Sequence, residues 1–222
     1  MRIQGYDPES CICMNTEKII WHGKVTSVQP RIRLLRSFDQ RQHNYPGYVL
    51  RITGTIGSDE REFMIGIGKT AQEKHQFRFG DTLSGQSHPV QDTRIEIAEF
   101  YKTSKLNLIE RQSVHADPPP WLNVPPDLQV YRARGHRRLD PRTYETKCQN
   151  CMWGCKMPVE ITIDQWNPQQ KKYRVETFCY GPKSCRLYKA GPVRTVPGRK
   201  GMVWEEEDWV DEEATAHRSM DD

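Results

Sequence analysis

Five of the chain's seven cysteines fall between Cys148 and Cys185, spaced C-x2-C-x3-C-x23-C-x5-C. Thiolates are soft anionic metal ligands, and two of them on one tight turn supply half of a tetrahedral shell. CQNC presents Cys148 and Cys151 in this way, and CYGPKSC presents Cys179 and Cys185. A hairpin between the two turns brings both pairs together. The expected cofactor is therefore one Zn2+ on Cys148, Cys151, Cys179 and Cys185, with Cys155 a spare buried thiol. A second assignment stays open. The run Cys148, Cys151, Cys155 with Cys179 or Cys185 as fourth ligand also suits a [4Fe–4S] cluster. Five thiols at this density are hard to explain as small apolar filler. Cys11 and Cys13 stand apart and read as a pair of free thiols. A catalytic zinc needs an open coordination position and a neighbouring acid or base. Glu176 and Tyr180 are the nearest in sequence, and Glu176 is expected on the solvent face of its strand, so a structural site is favoured over a catalytic one and the question of an enzyme stays open.

The other chemistry lies in PRIRLLRSFDQRQHNYPGY, where Arg31, Arg33, Arg36 and Arg41 face one acid, Asp39. Phe38, His43, Tyr45 and Tyr48 are interleaved. Arginine forks hold phosphates, and aromatic faces stack on bases. Phe38 and Tyr45 fall in the connection between strands and are assigned to stacking, whereas Tyr48 has the parity of a core residue. Arg51 extends the basic track along the next strand. A second run, VYRARGHRRLDPR, places Arg132, Arg134, Arg137, Arg138 and Arg142 just before the cysteines. The glycines of GIGKT lack the spacing of a phosphate-binding loop and read as curvature points.

The elements that must position these groups are mainly β. In 17–112 the first strand is long, and its apolar parity slips between Val25 and Ile32, so a bend is expected there. Strands over YPGYVLRITGTI and REFMIGIGK follow, then a short helix in TAQEKHQ, then two more strands. This order, with FRFGDTLSG leading into the fourth strand, resembles an OB-fold, a five-stranded Greek-key barrel. VEITIDQW and KKYRVETF read as a hairpin between the cysteine turns, and the whole resembles a zinc ribbon. The expected organisation is an N-terminal segment 1–16, an OB-like barrel 17–112, a linker 113–130 with five prolines, a Cys-rich module 131–200 and an acidic tail 201–222. GPVRTVPGRKG reads as loop. A short tail helix is expected with Asp208 as its N-cap.

Charge is uneven. Residues 17–112 carry 15 basic and 11 acidic groups, 113–200 carry 16 and 7, and 201–222 carry 1 and 9. A basic body with an acidic tail points to polyanion binding, with the tail a candidate protein-docking element. No run of about 20 apolar residues is present, so no membrane span is expected. No export signal is legible, so reduced thiols and a cytoplasmic setting are expected. OB-folds paired with zinc ribbons resemble single-strand nucleic-acid binders, and that resemblance implies single-stranded nucleic acid as partner, with Arg31, Arg33, Arg36, Arg41 and Arg51 on phosphates. The alternatives are a protein-interaction adaptor and an iron–sulfur enzyme or redox sensor.

Overall fold

Alternating apolar residues drive most of this chain into strands. The computed structural model describes residues 17–113 and 119–221. Segment 1–16, with Cys11 and Cys13, lies outside the described residues. In chain order the elements are β1 (Ile19–Arg36), β2 (Arg41–Ile56), β3 (Asp59–Ile67), α1 (Lys69–His75), β4 (Thr82–Pro89), β5 (Phe100–Glu110), α2 (Leu128–Arg134), β6 (Arg137–Arg138), α3 (Pro141–Thr143), β7 (Gly154–Thr162), β8 (Lys171–Cys179), β9 (Arg194–Pro197), β10 (Val203–Glu206) and α4 (Asp208–Thr215). The architecture is mainly β, with one large sheet in the order β2-β3-β5-β4-β1-β7-β8-β6 and a separate β9–β10 pair. β1 also pairs with β2, so the pairings of the first five strands run β1-β2-β3-β5-β4 and return to β1.

β1 makes this possible by bending. Its register against β2 shifts between Val25 and Ser27 and again between Arg31 and Arg33, the stretch where its apolar parity slips. Trp21 and Val25 before the shifts, and Ile32 and Leu34 beyond them, are all buried as a result. Gly47 supplies a second tight point. Its φ is +149°, and a Cβ there would lie 2.0 Å from the Ile67 carbonyl oxygen, so only glycine lets β2 pass the end of β3.

The proline-rich stretch does not separate the two halves. Leu34–Arg36 of β1 run parallel to Val159–Ile161 of β7. One apolar core joins Leu50, Ile52, Phe63 and Ile65 to Met157, Val159, Phe178 and Tyr180. Burial of each such side chain contributes about 1.5–3 kcal/mol, so both halves draw on the same interior. Trp121 and Leu122 are half-buried, the Tyr48 hydroxyl donates to the Pro126 carbonyl at 2.8 Å, and α2 starts inside the expected linker. GPVRTVPGRKG is not all loop, because Arg194–Pro197 pair with Val203–Glu206. The N-cap of α4 is Glu207 rather than Asp208; the Asp208 carboxylate is instead held by Arg138.

Candidate functional site

The thiols are brought together by two turns and a brace from β1. Asp140 caps α3 by accepting from the Thr143 N–H at 2.9 Å, and Tyr144–Cys148 continue as a π turn. The Cys151 N–H then donates to the Cys148 carbonyl and the Gly154 N–H to the Cys151 carbonyl, each at 3.0 Å. Gln29 of β1 reaches in behind. Its Nε2 donates to the Cys148 and Cys151 carbonyls at 3.0 and 2.8 Å, and its Oε1 accepts from the Tyr144 hydroxyl at 2.7 Å. A Cβ on Gly154 would sit 2.6 Å from the Cys148 carbonyl oxygen, so glycine is required at this crossing. In the second turn the Gly181 N–H donates to Cys179 Sγ at 3.4 Å.

Cys148, Cys151, Cys179 and Cys185 line one void of about 10 Å³, walled by Trp121, Trp153 and Tyr188. None of the five clustered cysteines is in a disulfide. Burial, with the charges of the neighbouring cysteines, pushes the Cys148 thiol up to about 12. Burial does the same to Cys151, against backbone hydrogen bonds from Trp153 and Trp121 that favour its thiolate. Cys179 is also raised by burial, opposed by its Gly181 bond. Cys155 is elsewhere. It is fully buried in the main core, with Sγ 3.5 Å from the Pro30 carbonyl oxygen. Among the described residues no three His, Cys, Asp or Glu side chains are drawn in to a metal-ligand sphere. The chemistry of the donors nevertheless suits a soft cation: four cysteines line one small void, backbone N–H groups bear on Cys151 and Cys179, and a cation among them would offset both burial and mutual repulsion. Glu176 is not on a solvent face. It is buried and paired with Arg174 and Arg194, which leaves it poorly placed as a free acid or base.

The basic track is split into separate ion pairs. Arg31 and Arg33 both bind the carboxylate of Glu96, from the loop between β4 and β5. Arg36, buried, donates to Glu206 at 3.0 Å with the Trp204 ring 5.4 Å from its Cζ, and Arg41 lies 3.5 Å from the other oxygen of Glu206. Arg51 pairs with Glu62 on the sheet surface. Each of the five arginines assigned to phosphates thus has a carboxylate. Phe38 does lie in the β1–β2 turn, against Gly198, where a Cβ would meet its ring at 2.7 Å. Tyr45 does not lie in a loop. It is inside β2, packed on the core, with the Arg132 guanidinium 4.9 Å over its ring. The structure brings Arg36, Phe38 and Arg41 together, and keeps Arg51 and Tyr45 apart from them. In the second run Arg134 donates to the Tyr180 carbonyl and Arg137 to the Pro182 carbonyl. Arg138 is buried, held by Asp208, by Asp211 at 2.9 Å and by the Glu206 carbonyl at 2.8 Å.

Glu96 gives a pH-dependent prediction. Burial opposes its ionisation, but the hydrogen bonds and charges of Arg31 and Arg33 outweigh burial and hold its carboxyl below the usual 4.5. A depressed folded-state pKa stabilises the fold above the unfolded value and is lost as pH falls through the folded one. Glu96→Gln is expected to cost about 1.5–3 kcal/mol at neutral pH. Its deficit relative to wild type should shrink on acidification from about pH 6 to about pH 3, as read from urea denaturation; a deficit independent of pH contradicts the assignment.

Two features had no sequence signal beyond residue type. His43 and His136 lie with ring centroids 5.0 Å apart. Burial and then the charges of Arg41 and Arg36 bring His43 down to about 4, and burial lowers His136 well below its usual value, so both rings are neutral near pH 7. The second feature is a group of aromatic side chains around the Ser37–Gln40 turn. Phe38, Trp204 and Trp209 line a cleft of about 400 Å³ on one side. Trp166, 84% exposed at the β7–β8 hairpin tip, and Met202 lie on the other. Among the described residues no helix is long and apolar enough to cross a membrane. Comparisons of the chain with protein-family models, with curated proteins and with solved structures find no match.

Proposed function

We propose that the chain is a protein-interaction adaptor, built as an OB-like barrel fused to a zinc-ribbon-like module held by one structural zinc ion. The barrel reading is supported by the ring of pairings β1-β2-β3-β5-β4-β1 with one helix between β3 and β4. The metal reading is supported by four cysteines lining one small void, and by Cys155 turned away from it into the core. Cys148, Cys151, Cys179 and Cys185 would hold the zinc, which supplies fold stabilisation. Four thiolates leave no open position for water.

The observation that carries the adaptor reading is the aromatic surface at the β1–β2 turn. Trp166, Trp209 and Met202 are all about half-exposed or more. Exposed tryptophan and methionine in one region are what partner surfaces use. Single-stranded nucleic acid is the second reading. It keeps the support of the OB-like pairings and of the aromatics, but its arginines are already matched by Glu96, Glu206 and Glu62.

A photo-crosslinking amino acid at position 166, in cells, distinguishes the two. The expected adducts are protein and survive nuclease digestion. Nuclease-sensitive adducts, with in vitro binding of single-stranded oligonucleotides that falls steeply with salt, would overturn the adaptor reading in favour of nucleic acid.

A further inference from the structure

A cleft lies between the β1–β2 turn and the C-terminal β10–α4 segment. Its floor is aromatic: Phe38 from the turn, Trp204 from β10 and Trp209 from α4. Trp209 is 51% exposed, so its ring presents a free face. Asp39 and Glu213 stand at the rim, both exposed, and no cation among the described residues is ion-paired with either. The two lining arginines, Arg36 and Arg41, share the single carboxylate of Glu206. Of the acids in 203–215, Glu213 lines the cleft, while Glu206, Asp208 and Asp211 are committed to Arg36, Arg41 and Arg138. Three carboxylates, Asp39, Glu213 and Glu206, thus stand against two guanidiniums, an excess of one negative charge, and the surface is π-rich. An indole face attracts a cation through its quadrupole, and a nearby carboxylate adds to the attraction. A phosphate entering here would meet the unpaired carboxylates of Asp39 and Glu213, with both lining arginines already bound to Glu206.

We infer that this cleft binds a basic side chain, arginine or lysine, carried on an extended segment of a partner protein. The cation sits against Trp209, with Asp39 and Glu213 as its counter-charges, while the Trp204 ring already carries the Arg36 guanidinium. The 400 Å³ volume accepts one long side chain with its flanking backbone. Arg36 lines the cleft with its side chain 1% exposed, and its Nε has no hydrogen-bond partner. Buried in this way, its guanidinium serves Glu206 and the Trp204 ring rather than the incoming chain. Gly198 matters indirectly, because it leaves the space in which the Phe38 ring lies.

The inference rests on the adaptor reading, and its test is separate from the crosslinking at position 166. The full chain is titrated with three probes: the capped peptide Gly-Arg-Gly-Arg-Gly, its glutamate counterpart, and a single-stranded oligonucleotide. Indole N–H signals of the tryptophans are followed by NMR. The arginine peptide is expected to shift the Trp204 and Trp209 signals and leave Trp166 unmoved. Trp209→Ala should weaken it about tenfold and Glu213→Gln about fivefold, in line with a desolvated cation–π contact and one partly exposed charge pair. Both positions are exposed, so the fold is retained, as an unchanged amide spectrum elsewhere checks. An absent response, an equal response to the glutamate peptide, or unchanged affinity in both variants overturns the inference. A response of the same indoles to the oligonucleotide in place of the peptide also overturns it and makes the cleft a base-stacking site. Protein adducts at position 166 with an inert cleft would defeat this inference and leave the adaptor reading standing.

Discussion

Cys148→Ser protein is expected to purify without stoichiometric metal and to lose cooperative melting of the β6–β8 region, while Cys155→Ala protein keeps about one zinc per chain. The contrast follows from position. Cys148 faces the void shared with Cys151, Cys179 and Cys185. Its carbonyl is also one of the two that Gln29 holds. Structural zinc contributes on the order of 10 kcal/mol to such small modules, because the site forms only in the folded chain. If the proposed zinc sits on these four thiols, removing one forfeits most of that. Cys155 lies in the apolar core against Pro30, and its truncation should cost roughly 1–3 kcal/mol of packing with the metal retained. Zinc, iron and acid-labile sulfide per chain, measured with a thermal melt, decide the matter. Full zinc in Cys148→Ser removes that residue from the site. Iron with sulfide that disappears in Cys155→Ala would replace the zinc assignment with a cluster.

Arg138→Met is expected to cost about 3–5 kcal/mol, the scale for breaking a buried ion pair by removing one partner. This arginine is 1% exposed and ties four groups of the C-terminal region together: the Asp208 and Asp211 carboxylates, and the Glu206 and Pro192 carbonyls. Methionine fills much of the volume, so the loss isolates charge and hydrogen bonding from packing. Amide exchange should report it locally, with 203–215 losing protection before the β1–β3 core does. Retained protection of α4 and an unchanged melt would show that the tail is held by other contacts. Arg218, which donates to the Gly181 carbonyl, would be the next residue to change.

What the sequence made legible was what neighbouring residues decide. Parity located the bend of β1, the β7–β8 hairpin and the core-facing Tyr48, because strand alternation is local and burial follows it. Cys148, Cys151, Cys179 and Cys185 line one void, since each pair sits on a turn only a few residues long, and such turns are legible from spacing. What could not be read were pairings set by distant chain. Arg36 gains its carboxylate from a residue 170 positions away, and Arg31 from one 65 away. A run of arginines reads as a solvated or phosphate-binding face until those partners are known. The acidic tail hides its pairings in the same manner. Its charges read as a free docking element, but Glu206, Asp208 and Asp211 are internal counter-ions for Arg36, Arg41 and Arg138. Glu176 broke strand parity for the same reason, because Arg174 and Arg194 make its burial tolerable.

The parallel seam between Leu34–Arg36 and Val159–Ile161 bears on how the chain is made. Those three residues wait for a strand about 125 positions downstream, and Arg36 waits longer still for Glu206. During synthesis the first five strands emerge with this edge bare, its Leu34 and Leu35 side chains and open backbone groups available to any other chain. Closing so long a loop is slow compared with local pairing. Nascent chains are therefore most vulnerable to edge-to-edge association after β5 and before β7 has left the ribosome, and fragments ending in that interval should be found in inclusion bodies where the full chain is not.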